Sequence, residues 1–317
     1  MIQGLIGTAR GWTILAGVVA VLAISSVTGW ILSRRAHAGS RKTIENLNAR
    51  IRAWWVMVIA IAGALIAGPN AVIILFALVS FAALREFLTL TPTRKPDHFA
   101  ILLSFFFVLP FQYALVWTKW YGVFTILIPV YVFLLLPAFT VVWAGTTKNF
   151  LARTSEMQWG LMVCVYCISH VPALLMLRIR NYDPAMLVVF LVLVVQASDV
   201  LQYLWGKLFG RTPIAAEVSP SKTLEGFLGG VASATVLGTC LWWITPFQRW
   251  QAALFSFSIT MTGFLGGLVM SAVKRDRGVK DWGNLIEGHG GILDRLDSVC
   301  FAAPIFFHLT RYFFAET

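Results

Sequence analysis

Acidic residues are scarce in this chain. Its 317 residues hold 14 Asp and Glu against 25 Lys and Arg, and charged residues make up only 12%. A soluble domain carries roughly 25%, so a water-soluble globular class is excluded. From Gly226 to Arg275 there is no acidic residue at all. Cysteine is sparse too: Cys164, Cys167, Cys240 and Cys300 all lie in apolar runs. The CxxC of Cys164 and Cys167 falls mid-helix, where a thiol packs as a small hydrophobe rather than serving a metal or redox centre. There is no internal repeat, no low-complexity tract and no nucleic-acid-binding motif. The net charge of +11 therefore points to membrane-facing loops and anionic lipid head groups, with no nucleic acid as partner.

What the chain has in abundance is hydrophobic sequence. Apolar residues make up 58% and the mean hydropathy is +0.78. A membrane helix needs about 20 mostly apolar residues. Ten stretches qualify or nearly do: 11–32, 53–67, 71–90, 100–117, 122–143, 159–177, 185–196, 224–245, 252–273 and 299–314. Residues 53–67 and 71–90 are split only by Gly68-Pro69-Asn70, and 185–196 is short enough to extend into the polar segment after it. The fold class is all-α, a polytopic integral membrane protein of about ten transmembrane helices. The N-terminal helices occupy 1–185 and the C-terminal helices, with their polar loops, 186–317, as one continuous membrane domain.

The run Gly11 to Leu32 resembles a signal peptide, and Ala36-His37-Ala38 a cleavage site. The run is longer than a usual signal core and is followed by Arg34 and Arg35, so it reads as an uncleaved helix with its N-terminus outside. Positive charge sets the rest of the topology. The loop 33–52 carries Arg34, Arg35, Arg41, Lys42, Arg50 and Arg52 and is expected in the cytoplasm. Threading ten helices from there puts 91–99, 144–158, 197–223 and 274–298 on the same side. Arg178 and Arg180, in the outside loop 178–184, are small exceptions.

Two of those loops carry the chemistry. In Ala197–Gly226, Asp199 follows an apolar run; an ionisable residue near the membrane is a functional candidate, and a plain helix-end carboxylate is the alternative. In Ser219-Pro220-Ser221-Lys222-Thr223-Leu224-Glu225-Gly226, Ser221 or Thr223 can cap the next helix with Glu225 in its first turn. The same hydroxyls, free N–H groups and Lys222 also make an anion cradle.

The second loop, Ser271 to Asp297, is a dense polar island. Ser271, Lys274 and Arg275, at i, i+3 and i+4, share one helix face, though the two cations also satisfy the positive-inside rule. Lys280-Asp281 follows, then His289-Gly290-Gly291, where glycine lets a backbone approach a ligand closely. Asp294 and Asp297, at i and i+3, lie on one face of a helix start. Carboxylates there suit Mg²⁺, which takes one or two of them together with substrate phosphates; they also suit the helix dipole. His170 and His308 lie in apolar helices and read as core histidines.

These residues resemble the phosphatidate cytidylyltransferase (CDP-diacylglycerol synthase) family. Its signature is S-x-x-K-R, four residues, K-D, then H-G-G, then x-x-D-R-x-D. This chain has Ser271, Lys274-Arg275, Lys280-Asp281, His289-Gly290-Gly291 and Asp294-Arg295-Leu296-Asp297. The Ser219–Gly226 segment matches the family's S-P-x-K-T-x-E-G, and Asp199 its upstream acidic residue. The likeness is firm over about residues 190–310.

The resemblance implies transfer of a cytidylyl group from CTP to phosphatidate, with Mg²⁺, in a bacterial inner membrane and with the active loops in the cytoplasm. Asp294 would hold the metal, with Asp199 and Asp281 as further ligand candidates. Lys222, Lys274, Arg275 and Arg295 would neutralise phosphates. Ser219, Ser221 and Ser271 would orient them, with Thr223, Lys280, Gly290 and Gly291 in the phosphate-binding set. His289 would organise the loop or contact the nucleotide. The expected partners are phosphatidate and CTP as substrates and membrane lipids, and the candidate assembly is a homodimer.

Two positions depart from the family pattern. Gly267 stands where an aspartate is usual, four residues before Ser271, and Glu287 where proline is usual. Gly267 motivates an alternative, a paralogue that binds lipid or nucleotide without turnover. A transporter is a third class; it would need inverted repeats and mid-membrane polar residues, and neither is evident.

Overall fold

The computed structural model describes residues 9–35, 41–92, 97–144, 147–180, 182–283 and 290–316. His289 and Glu287 lie outside these. Among the described residues, helices form at all ten expected places. They are α1 (Ala9–Arg34), α2 (Arg41–Ala67), α3 (Pro69–Thr89), α4 (His98–Trp117), α5 (Tyr121–Trp143), α6 (Phe150–Met176), α7 (Ala185–Phe209), α8 (Leu224–Cys240), α9 (Arg249–Asp276) and α10 (Leu293–Phe314).

Eight of them, α1–α7 and α9, are long and apolar enough to cross a membrane. The expectation of about ten spans is thus met by eight on that criterion. The helix α8 is short at 17 residues, and α10 opens with Asp294, Arg295 and Asp297. The protein is an all-α polytopic integral membrane protein. Several boundaries move, among them the starts of α6 at Phe150, ahead of 159, and of α10 at Leu293, ahead of 299. Helix α2 begins at Arg41, before its apolar run, α7 continues from 196 to Phe209, and α8 stops at Cys240. A two-stranded hairpin, β1 (Pro213–Ala215) against β2 (Ser219–Thr223), interrupts the helical pattern between α7 and α8.

Wide turns of the π type interrupt α4 at Ser104–Val108, α5 at Leu127–Val132 and α6 at Met162–Cys167. The first is followed by Pro110 and the second contains Pro129. Proline has no N–H to give to the preceding turn, which is a recognised origin of such local re-spacing. One buried core runs from Leu65 to Phe307 and joins helices of both halves. The hairpin α1–α2 lies largely outside it, with most of its apolar side chains exposed as lipid contact requires.

Glycine sets how closely the C-terminal helices approach. A Cβ on Gly230 of α8 would lie 2.7 Å from the Cα and N of Gln202 on α7. One on Gly266 of α9 would lie 2.6 Å from the carbonyl oxygen of Asp297 on α10. Small residues at such crossings let backbones meet where no hydrophobic driving force separates helix from lipid. The second crossing seats the end of α9 beside the start of α10.

The alternation of the helices gathers the described parts of the α3–α4, α5–α6, α7–α8 and α9–α10 connections at one end. Ion pairs tie two of these to the start of α6: Arg153 Nε donates to Asp97 at 2.6 Å, and Arg277 Nη2 to Glu156 at 2.7 Å. At the opposite end the N–H of Glu316 donates to the Arg178 carbonyl.

Because Gly230 faces Gln202 Cγ and the backbone beneath it rather than the far end of a side chain, Gly230→Ala should destabilise the bundle by about 1–3 kcal/mol through overpacking. Gly63→Ala, with open space around it, should be neutral or stabilising, since alanine is the better helix former. Thermal unfolding in detergent would check both; equal midpoints for the two variants would refute this account of the crossing.

Candidate functional site

The Ser219–Gly226 segment first builds its own scaffold. The Thr223 hydroxyl accepts from the Gly226 N–H at 3.2 Å and caps α8. Glu225 turns back to the loop and accepts from the N–H groups of Arg211 (3.0 Å) and Thr212 (3.2 Å) and from the Thr212 hydroxyl (2.9 Å). Ser219 is buried, whereas Ser221 is exposed. Arg275 clamps this hairpin to the end of α9, donating to the carbonyls of Val218 (3.3 Å) and Val279 (3.0 Å). Lys222 thus sits on β2, next to the Thr223 cap of α8, and its side chain reaches α9.

The start of α10 forms the second component. Lys274 Nζ donates to Asp294 Oδ1 at 2.7 Å, and both side chains are nearly buried. Asp294 Oδ2 accepts from the N–H groups of Trp282 (2.8 Å) and Gly291 (2.9 Å). Glu86, from the far end of α3, accepts from the N–H of Ile292 on Oε1 and of Leu293 on Oε2, each at 2.9 Å. The first N–H groups of a helix have no partner inside it, and the helix dipole favours anions there. Two carboxylates meet both needs.

A buried carboxylate pair forms the third component. The Ser298 hydroxyl donates to Asp199 Oδ1 at 2.9 Å and lies 3.5 Å from Asp297 Oδ1, which also accepts from the Ser298 N–H at 2.7 Å. Lys222 faces this pair. Burial makes its ammonium easier to lose, the carboxylates of Asp297 and Asp199 oppose that, and Lys274 adds to it. A Cβ on Gly267 would lie 2.6 Å from Lys222 Nζ and 3.7 Å from Ser298 Oγ. The ammonium thus occupies the space that a side chain at 267 would enter, 5.1 Å from the Phe264 ring centroid.

Three cationic or carboxylate centres on α7, α9 and α10, joined by the β2 lysine, form a dense anion-and-cation site at one end of an apolar bundle. A profile of the cytidylyltransferase family matches residues 48–313, nearly the whole of that bundle. The chain belongs to the cytidylyltransferase family. It is 41% identical over 269 residues to the uncharacterized protein YnbB of Escherichia coli, covering 83% of this chain and 87% of that protein. It is 33% identical over 225 residues to the phosphatidate cytidylyltransferase of Bacillus subtilis, covering 69% and 79%. A phosphatidate cytidylyltransferase of Helicobacter pylori is 46% identical over 130 residues, 41% of this chain and 48% of that protein.

In this cytidylyltransferase-family protein the expected residues divide. Lys222, Lys274, Asp199, Asp294 and Arg295 gather around the starts of α8 and α10, and Arg295 is half-buried. The Ser271 hydroxyl donates to the Gly267 carbonyl at 2.6 Å along its own helix. Lys280 and Asp281 are exposed. Gly290 has φ +80°, and a Cβ there would lie 2.6 Å from Asp294 Oδ2, so both its backbone angle and its space call for glycine. Asp294, Asp199 and Asp281 do not converge: among the described residues, no three His, Cys, Asp or Glu side chains form a group suited to a metal ion. The carboxylates meet two by two instead: Asp281 and Asp294 flank Gly290, and Asp199 and Asp297 share Ser298. Asp297 was expected only as the i+3 partner of Asp294 on one helix face, and Glu86 and Ser298 carried no expected role. Glu86 had a signal, as a carboxylate within the apolar run 71–90.

Breaking a buried ion pair by removing one partner leaves the other charge unpaired. Lys274→Met should therefore destabilise the fold by about 3–5 kcal/mol, whereas Lys280→Met, on the surface, should stay within about 0.5 kcal/mol. Thermal unfolding in detergent reads both, and a silent Lys274→Met would contradict the pairing.

Proposed function

We propose that the protein transfers the cytidylyl group of CTP to phosphatidate, giving CDP-diacylglycerol and pyrophosphate. The observation that carries this reading is the convergence of Lys222 and Lys274 on buried carboxylates at the polar end of the bundle, in a chain similar to proteins named phosphatidate cytidylyltransferase. A phosphate oxygen of phosphatidate attacks the α-phosphorus of CTP. A new P–O–P bond forms, the bond between the α- and β-phosphates breaks, and pyrophosphate leaves with that electron pair. Such transfer depends on positioning and charge neutralisation more than on covalent help. Phosphatidate is already ionised near neutral pH, so the site needs no strong base.

Lys222, Lys274, Arg275 and Arg295 supply the positive charge in this reading. Ser219, Ser221, Ser271 and the backbone at Gly290 and Gly291 orient phosphates. Asp199 and Asp297, which share one serine, are hard oxygen donors of the kind Mg²⁺ takes together with substrate phosphates. Asp294 is held by three donors and would join that set on exchange of one of them. Bound Mg²⁺ would supply charge neutralisation at the phosphates. The excess of Lys and Arg in the loops of this end supports a cytoplasmic orientation, where CTP is available.

Gly267 favours a second reading, a protein that binds nucleotide or lipid without turnover. Its missing side chain leaves two carboxylates in the pair where the family pattern has a third close by, and Lys222 fills the space.

Membranes enriched in the protein are expected to convert labelled CTP and phosphatidate to CDP-diacylglycerol only with Mg²⁺, and Asp294→Ala to abolish the conversion. Binding of CTP or phosphatidate without turnover under varied metals and lipids would favour the second reading; absence of turnover and of both kinds of binding would sink each. Gly267→Asp separates them further. In the active protein it should lower the Mg²⁺ concentration needed for half-maximal rate, and in the inactive one it should create turnover.

A further inference from the structure

We infer that Glu86 is a positioning residue for the transfer site, holding the start of α10, and through it Asp294, from the N-terminal half of the chain. Glu86 is 5% exposed and sits in an apolar helix, where an unpaired carboxylate would be strongly disfavoured. Both of its oxygens are used, one on Ile292 N–H and one on Leu293 N–H, across 206 and 207 residues of sequence. Asp294 takes the preceding N–H, that of Gly291. Three consecutive amides at this helix start are thus held by two carboxylates. The direction of α10's first turn, and with it the Asp294 side chain, is fixed against α3.

The neighbouring residues are shaped for this contact. A Cβ on Gly291 would collide with Glu86 Oε2, and one on Gly283 would lie 3.1 Å from Oε1. Glycine at both positions lets the backbone close around the carboxylate. Next to them Phe87 stacks on the buried Trp282, with ring centroids 5.4 Å apart, and the Trp282 N–H is the other backbone donor to Asp294. Glu86 and Phe87 therefore reach Asp294 by two routes, one through α10 and one through Trp282. In this account Gly291 is present to seat Glu86, besides any contact with phosphate.

The inference rests on the proposed transfer reaction for its kinetic readout and on the structure alone for its exchange readout. The test compares the full chain in nanodiscs with its Glu86→Gln, Glu86→Asp and Gly291→Ala variants. Glutamine has one acceptor where the site needs two, and an alanine methyl at 291 lands on the Glu86 carboxylate. Turnover should fall roughly 10- to 100-fold in Glu86→Gln and in Gly291→Ala, as expected for misplaced catalytic groups, with the KM for CTP little changed. Glu86→Asp should recover part of the rate. Amide exchange should rise in 290–296 and stay as in the parent over 213–223. Unchanged rate and exchange would overturn the inference. So would a rate loss accompanied by faster exchange throughout the bundle, which is what a merely structural role gives. If the parent protein shows no turnover, the proposed reaction fails, and exchange at 290–296 still decides whether Glu86 holds this turn.

Discussion

The site depends on the pairing of charges that the bundle has removed from water. A carboxylate or ammonium in a low-dielectric interior is tolerated only with a partner and saturated hydrogen bonds. Lys274 and Asp294 meet at 2.7 Å, and the second oxygen of Asp294 is saturated by two backbone N–H groups. Glu86 is saturated by two more. Asp199 and Asp297 share Ser298 and face Lys222. These groups come from four helices and one strand, so satisfying the charges also locks α3, α7, α9, α10 and β2 together. One requirement thus serves both the fold and the chemistry.

That pairing is reachable because the helices carrying it can touch. Gly266 lets α9 meet the backbone of α10, and Gly230 lets α8 meet α7. Bulkier residues there would move Lys274 away from Asp294 or Lys222 away from the carboxylate pair. The β1–β2 hairpin performs the remaining alignment. Its Arg275 clamp and the Glu225 contacts to 211–212 aim Lys222 across the site. An ammonium so aimed fills the space beside Gly267, which gives this family member a different balance of charge from one with a carboxylate at that position.

Much of the architecture was legible in the chain. Runs of about 20 apolar residues can be satisfied in lipid only as helices, whose backbone groups bond within the segment, and all ten were found where hydropathy put them. The boundaries were less legible. Helix α2 starts among Arg41 and its polar neighbours, and α7 runs on to Phe209, because a helix end is set by backbone hydrogen bonding and capping rather than by hydropathy. The cap at Thr223 was read correctly as one of two options. The hairpin before it was not, since three- and five-residue strands leave almost no periodic signal.

The sequence by itself determined the class of molecule, the places of the helices and the family, because these follow from composition, run length and a long spaced signature. It also marked the residue at 267 as the unusual one. Only the tertiary structure decided which carboxylate meets which partner. Asp294 is committed to Lys274 and the backbone, Asp199 pairs with Asp297 rather than with Asp281, and Glu86 joins the site from α3. The physical reason is that such partnerships are settled by distances of a few ångströms between groups some 100 to 200 positions apart, where no local pattern carries information about who will be near whom.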